Sequence, residues 1–323
     1  MPAGLRSHIG LAKESVFGTA VPATDYHRFR GGEALQTTIE EVVPPNILGV
    51  PWRGPTYQGF RDHTGPIPFD AHPNILGFYL LSGLGAISTV QDEVGVRWTH
   101  TVAPRVTEFS DACWLQPLTW EVHRDLGQAF QYAGGVVNQL QGTWGVDEKV
   151  LSMVATGMSK SMTRITATSP TFESTQAFRW NQAVVTLPDP TAFATMRRLE
   201  FLINNEQEAL HYIDGSLDAT HMRPGDTPSS VTVQGTMRGN SAELTEFING
   251  TERFLKIVFT GPVLGTNFFM LTLEFPKFRY VVYDQGVAGR GEIFLGFRGE
   301  AKHDPATANT PMRAILRNSK AAY

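Results

Sequence analysis

Cysteine is almost missing from this chain. Cys113 stands alone among 323 residues, which excludes an internal disulfide and a thiolate metal cage and suits folding in a reducing compartment. Cations are no more plentiful: 27 Lys and Arg stand against 31 Asp and Glu, for a formal net charge of −4. A basic field of the kind that nucleic-acid binding through many phosphates requires is therefore absent. Long apolar runs are absent as well. No stretch approaches the roughly 18 residues of a membrane span, and the opening MPAGLRSHIG has no apolar signal core, so the chain reads as soluble, without a membrane partner.

Catalytic signatures are equally scarce. There is no H-E-x-x-H, G-x-S-x-G or G-x-x-x-x-G-K-[ST], and GLGAIS lacks the third glycine of a dinucleotide fingerprint. The histidines are scattered, and His100 in WTHTV has no ligand partner nearby in sequence, so each reads as a polar or surface side chain. Cys113 beside Trp114 reads as a small buried apolar residue. A carboxylate pair such as Glu121 with Asp125 stays open, because the separation that glycoside hydrolysis needs is a property of the fold. The expectation is a protein with no catalytic residues, no metal and no cofactor.

What is present is a core. Apolar residues make up 41% of the chain and aromatics 11%, enough to bury one large core or two ordinary ones. Residues 1–33 mix Gly, Pro and Thr without steady periodicity and read as an extended N-terminal arm. Glu40 to Gly65 reads as a long loop with four prolines. It carries Val43, Ile47, Leu48, Val50 and Trp52, too many apolar groups for simple solvation.

From Leu118 the pattern is β. Leu118, Trp120 and Val122 alternate with Thr119, Glu121 and His123, the period of a half-buried strand. Further strands follow in QAFQYAGGVVNQLQGTWGV and KVLSMVATGMS. The Ser/Thr/Pro-rich SMTRITATSPTFESTQ then marks a boundary near Thr166, and a second run of strands includes FFMLTLEFPKFRYVVYD, with Leu271, Leu273 and Phe275 on one face and Thr272 and Glu274 on the other.

Each half also contains one strand leading into one helix. In the first, Pro66–Asp70 leads to a helix over Pro73–Ser82, with Pro73 in the first turn and Gly83 and Gly85 at the end. In the second, Ser230–Arg238 leads to a helix over Ser241–Asn249. Asn240 with Glu243 there resembles a capping box, Leu244, Phe247 and Ile248 form the apolar stripe, and Gly250 ends it. A long loop precedes both units. The expected fold is mainly β: two tandem antiparallel β-sandwich or barrel domains, 34–165 and 166–304, each with one covering helix, plus extended arms at 1–33 and 305–323.

The opening IGLAKESVFGTAVPATDYHRF resembles the start of the major tail tube proteins of long-tailed, siphovirus-type bacteriophages, where a G-x-x-x-E-x-x-x-G-T pattern falls on Gly10, Glu14, Gly18 and Thr19. PNILGFYLLSGLG and NSAELTEFINGTERFLKIVFTG are similar to the matching parts of those proteins, and the resemblance covers most of the chain. It implies a structural virion protein that assembles itself, in the host bacterial cytoplasm, into stacked rings forming the hollow tail through which DNA passes without specific binding. It also implies tape measure and tail-end proteins as partners. A two-domain chain resembles the longer members, in which three chains close a pseudo-sixfold ring; a hexamer is the alternative.

A lumen for DNA needs neutral or acidic side chains. Glu200, Glu206, Glu208, Asp214 and Asp218 fall in a stretch from Leu199 to Met222 that contains no Lys or Arg. These are the lumen candidates, and Val43, Ile47, Leu48, Val50 and Trp52 are the candidates for contact between rings. The arms at Gly10–Arg30 and Asp304–Tyr323 are expected to dock on neighbouring subunits. Two other readings stay open: a carbohydrate-active or carbohydrate-binding β-sandwich using Trp98, Trp114, Trp120 and Trp144, and a baseplate or neck component of the same fold that does not polymerise.

Overall fold

The computed structural model describes residues 4, 6–28, 30–33, 35–44, 52, 54–188, 190–226, 229–239, 241–284, 286, 293–305 and 310–323. The first half contains β1 (His8–Lys13), β2 (Asp25–Arg28), β3 (Gln36–Val42), β4 (Tyr57–Asp70), helix α1 (Pro73–Leu84), β5 (Gly85–Glu93) and β6 (Arg97–Pro104). It continues with β7 (Leu118–His123), β8 (Ala129–Gly145), β9 (Ser152–Ser159) and β10 (Ser161–Ile165). The second half contains β11 (Ala183–Thr186), β12 (Met196–Asn204), the small hairpin β13 (Gln207–Leu210) and β14 (His221–Pro224), and β15 (Ser230–Arg238). Helix α2 (Ser241–Asn249) then leads to β16 (Arg253–Leu264), β17 (Asn267–Tyr283), β18 (Phe294–Lys302) and β19 (Arg313–Asn318). The fold is mainly β and antiparallel, as expected.

Strand pairing follows one order in each half. One row runs β3-β4-β9-β8 and another runs β12-β15-β18-β17. β8 and β17 are both 17 residues long, and each is shared between two sheets. The first half of β8 pairs with β7 and β10, and the first half of β17 pairs with β16 and β19. β1 lies on the far edge of β7, and β11 lies on that of β16. The two rows join where β12 pairs with the second half of β8, from Arg198 opposite Gly145 to Asn204 opposite Gln139. The halves differ in their insertions: the β5-β6 hairpin and residues 105–117 stand between α1 and β7, whereas α2 leads almost directly into β16, and the β13-β14 hairpin stands between β12 and β15.

Helix α1 forms where sequence pattern places it. Pro73 occupies the first turn, where its missing N–H costs nothing, and Gly85 closes the helix at φ 94°, its N–H donating to the Leu81 carbonyl. Every residue from Ile75 to Leu84 is buried, with Tyr79 stacked on Phe69 of β4 at 4.0 Å between ring centroids. Burial all round marks a helix inside the core. Sheet-on-sheet contact is equally close: a Cβ on Gly157 of β9 would come within 2.6 Å of the Trp120 ring on β7, so the indole occupies space that only glycine leaves.

Several expectations are corrected. Thr119, Glu121 and His123 are buried rather than solvated, because β1 covers the outer edge and Thr168 caps Glu121 through both its N–H and its hydroxyl, each at 2.8 Å. Thr272 and Glu274 are buried for the same kind of reason, Arg313 of β19 donating to Glu274. Glu243 turns inward to Arg253 at 2.8 Å and Tyr280 at 2.7 Å, while Asn240 lies outside the described residues. Ile248 faces outward at 71% exposure, so α2 covers its sheet with Leu244 and Phe247 alone. The boundary segment begins as β10 rather than as linker, and Glu40–Gly65 is not loop throughout, since β3 runs to Val42 and β4 starts at Tyr57.

The described parts of the terminal segments also pack against their own chain. Ile9 and Leu11 of β1 are fully buried, and β1 pairs with β2 and β7. β19 inserts between β17 and β6. The Tyr323 ring packs edge-on against Phe78 of α1 at 5.1 Å. Period-two alternation was too short in both segments to announce strands that are covered on both faces.

Candidate functional site

Joining the rows through β8 and β12 gives the continuous order β3-β4-β9-β8-β12-β15-β18-β17. Directly opposed residues share a face. One face carries Ile67, Phe69, Leu140, Ala155, Phe201, Ile203, Val231 and Val233, all in the core. The other face carries Thr64, Thr156, Gln139, Gln141, Thr143, Asn204, Thr232 and Gln234, none of them buried. Hydroxyls and amides run through its β9-β8-β12 part, and by the same register it also carries Arg298, Glu300 and Arg279. Glu200 on this face accepts from Gln234 at 2.7 Å and from Thr143 at 3.4 Å, with Arg198 alongside at 3.5 Å.

At the two ends of this row, among the described residues, one edge of β3 and one edge of the second half of β17 have no paired strand. They are the counterparts of the two strands joined inside the chain, β12 and the second half of β8. Ile39 on β3 is 53% exposed, and Val281 and Val282 on β17 are 41% and 50% exposed. Open apolar edges of this kind template pairing with another chain.

One end of the row is formed by the β3-β4 hairpin. Val42 opposes Tyr57 there, and both are exposed, as are Val43, Phe60 and, at 70%, Trp52. Of the residues expected between rings, Val43 and Trp52 are thus at the surface, while Ile47, Leu48 and Val50 lie outside the described residues.

The lumen candidates are not brought together. Glu200 sits on β12 on the hydroxyl and amide face. Glu206 and Glu208 lie at the start of β13, and Asp214 and Asp218 lie in the connection to β14. That connection crosses to the first half: Arg61 N–H donates to the Leu217 carbonyl at 2.8 Å, and His63 lies 3.4 Å from Asp218. Asn205 anchors the crossing by donating from Nδ2 to the carbonyls of Gly83 and Val137, at 2.8 and 2.9 Å. Ala219 and Met222 complete a small second core with Phe17, Cys113, Leu115 and Val136.

At the opposite end of the strands from the β3-β4 hairpin, beyond Gly145 and Arg198, lies a groove of about 380 Å³ lined by Trp144, Trp180, Val184, Phe193, Met196 and Arg197 among others. No local pattern announces it, because its walls come from three separated segments.

The catalytic alternatives find no geometry. Glu121 is closed from solvent by Thr168. Burial pushes the Cys113 thiol up to about 12. Trp120 and Trp144 are core residues, so the tryptophans do not line one exposed platform. Among the described residues no group of three or more His, Cys, Asp or Glu is placed to hold a metal ion, and no helix is long and apolar enough to cross a membrane.

The glycine and glutamate pattern near the start acquires a physical meaning. The buried Glu14 carboxylate accepts from the N–H of Gly18, the Thr119 hydroxyl and the N–H of Gly134 at 2.7 to 2.9 Å. Gly10 lets the Tyr26 ring approach to 2.8 Å of where a Cβ would stand. Glu14 therefore ties the terminal segment to β7 and β8.

A family model described as phage tail tube protein matches residues 4–310, and the chain belongs to that family. It is a structural component of the virion tail. A comparison with curated proteins returned no match.

Proposed function

We propose that this chain is the repeating subunit of the tail tube of a siphovirus-type phage. In this reading the halves 34–165 and 166–304 are two tube domains, and three chains close a pseudo-sixfold ring. The rings stack into the conduit through which DNA leaves, after a tape measure protein has occupied it and tail-end proteins have closed it. The single observation that carries the reading is the β8–β12 pairing inside the chain. It joins two rows of the same strand order and leaves their equivalent edges, on β3 and β17, open at the two ends. Repeating that pairing between chains closes the row into a barrel and removes every edge.

The inner wall of such a barrel is the hydroxyl and amide face. Its hydroxyls and amides hydrate without gripping phosphates, as passage of DNA requires, and Arg279 on the same face stands opposite Glu300. Both helices lie on the opposite side, α1 being packed into the core behind β8.

Electron microscopy of the concentrated, purified protein tests the proposal. Hollow filaments built of rings with three chains each, walled by strands, are expected. Dispersed monomers at high concentration would sink it, six chains per ring would remove the trimer, and a lumen lined by α1 and α2 would reverse the wall.

A further inference from the structure

We propose that the uncovered face of α2, centred on Ile248, docks against β10 of a second copy of this chain, the next subunit around the same ring. The contact presupposes the tube reading and adds to it a surface, behind the strand seam, that joins chains within a ring.

The two halves correspond residue by residue. β8 shifts register on β9 between Val137 and Gln139, and β17 shifts on β18 between Tyr280 and Val282. β7 shifts on β8 between Leu118 and Trp120, and β16 shifts on β17 between Arg253 and Leu255. Irregularities at matching places fix the alignment, because each is a built feature of its strand pair. β4 ends at Asp70 and α1 starts at Pro73, while β15 ends at Arg238 and α2 starts at Ser241. Leu80 and Ile248 are therefore equivalent, each the eighth residue of its helix. β10 and β19 are equivalent as well: β10 pairs with Ala129–Ala133 of β8 and β19 with Met270–Glu274 of β17, each on the edge opposite β7 or β16.

These equivalent residues differ in cover. Leu80 is fully buried, whereas Ile248 is 71% exposed. The segment of β19 seals α1: Asn318 Nδ2 donates to the Pro73 carbonyl at 2.9 Å, and the Ser319 N–H donates to Asn74 Oδ1 at 3.3 Å. The helix of one half thus meets the outer strand of the half that follows it across the β8–β12 seam. For α2 the half that follows lies in another chain, across the open seam between β17 and β3, and its outer strand is β10. Thr163 and Arg164 of β10 are exposed. Charge suits the match, since the last turn of α2 contains Glu246 and no basic residue, and a helix C-terminus favours a cation such as Arg164.

The test uses the full chain. Ile248→Lys changes an exposed site, and a cation suits the last turn of a helix, so the monomer should melt as the parent does. The concentration at which rings close should rise roughly tenfold or more, the loss of one hot-spot contact. Parent and Ile248→Lys rings that close at the same concentration would overturn the docking of α2 alone. A parent that closes no ring would overturn both the tube reading and the docking.

A second variant, Thr163→Cys with Asn249→Cys, leaves Ile248 and Arg164 in place, and the parent treated alike controls for the buried Cys113. Rings treated with a short bismaleimide should give covalent oligomers no larger than one ring on a denaturing gel, and dilute monomers should give none. Larger oligomers, or none from rings that close, would overturn the docking regardless of how Ile248→Lys behaves.

Discussion

The Tyr323 ring rests on the bare backbone of Gly77 in α1: a Cβ at Gly77 would stand 2.1 Å from the ring. The same tyrosine hydroxyl meets Asn318 and the Pro73 carbonyl, and Lys13 Nζ donates to its backbone carbonyl at 2.8 Å. One residue thus holds α1, β1 and β19 together. Gly77→Ala should lower stability by about 1–3 kcal/mol, the range for overpacking a tight core. Thermal denaturation checks this, and Gly77→Ala with Tyr323→Leu should lose less than the sum of the two single changes if the ring is the obstacle.

Val281→Asp with Val282→Asp places two charges on the open edge of β17. Both sites are exposed, so the monomer should stay within about 0.5 kcal/mol of the parent. Light scattering should show single chains where the parent forms rings. Rings of normal size from this variant would place closure elsewhere.

Trp52→Ala with Leu48→Ala should leave the melting temperature of the monomer unchanged and still permit rings, but give no tubes. Normal tubes would make the hairpin an ordinary surface feature.

Acid should weaken the fold through His27. Burial drives its pKa down from 6.5 to about 4, the imidazole being enclosed near Phe69 and bonded to the Tyr79 hydroxyl at 2.7 Å. The unfolded chain takes up a proton first as pH falls, so stability is lost between pH 6.5 and 4 and levels off below. A shift of this size corresponds to about 3 kcal/mol. Urea unfolding at pH 7 and pH 4 should show a smaller loss for His27→Gln than for the parent.

Glu14→Gln replaces a carboxylate that accepts three hydrogen bonds with an amide whose NH₂ faces a donor, costing about 1–3 kcal/mol. Burial raises the Glu14 pKa. The folded state therefore binds this proton more tightly than the unfolded one, and the stability the proton contributes is lost as pH rises through the raised value. The parent's advantage over Glu14→Gln should be largest in acid and narrow as pH rises. A constant gap across that range would show that Glu14 carries its charge throughout.

The local elements were legible where a local signal existed. Pro73, Gly85 and Gly250 bracket both helices to within two residues of their observed ends. The seventeen residues of β17 announced a strand, but nothing in them announced an unpaired edge. An edge is defined by a strand that fails to arrive, which is a long-range fact. Glu121 and Glu274 looked solvated because alternation reports only one covering layer, and a second layer came from β1 and from β19, distant in sequence. Glu200, Glu206 and Asp218 looked alike as carboxylates, yet the chain leaves the row after Asn204 and parts them. The groove was invisible because Trp144, Trp180 and Phe193 are neighbours only after folding.

The β8–β12 pairing also has an entropic consequence. In the proposed ring of three chains, every second seam is tethered by the polypeptide itself, its two sides held at an effective concentration that dilution does not lower. Closing such a ring immobilises three bodies where six separate domains would each surrender translational and rotational freedom, several kcal/mol apiece. The threshold concentration for nucleating a tube falls accordingly, and rupture of a ring begins at the untethered seams between β17 and β3 and leaves the β8–β12 seams closed.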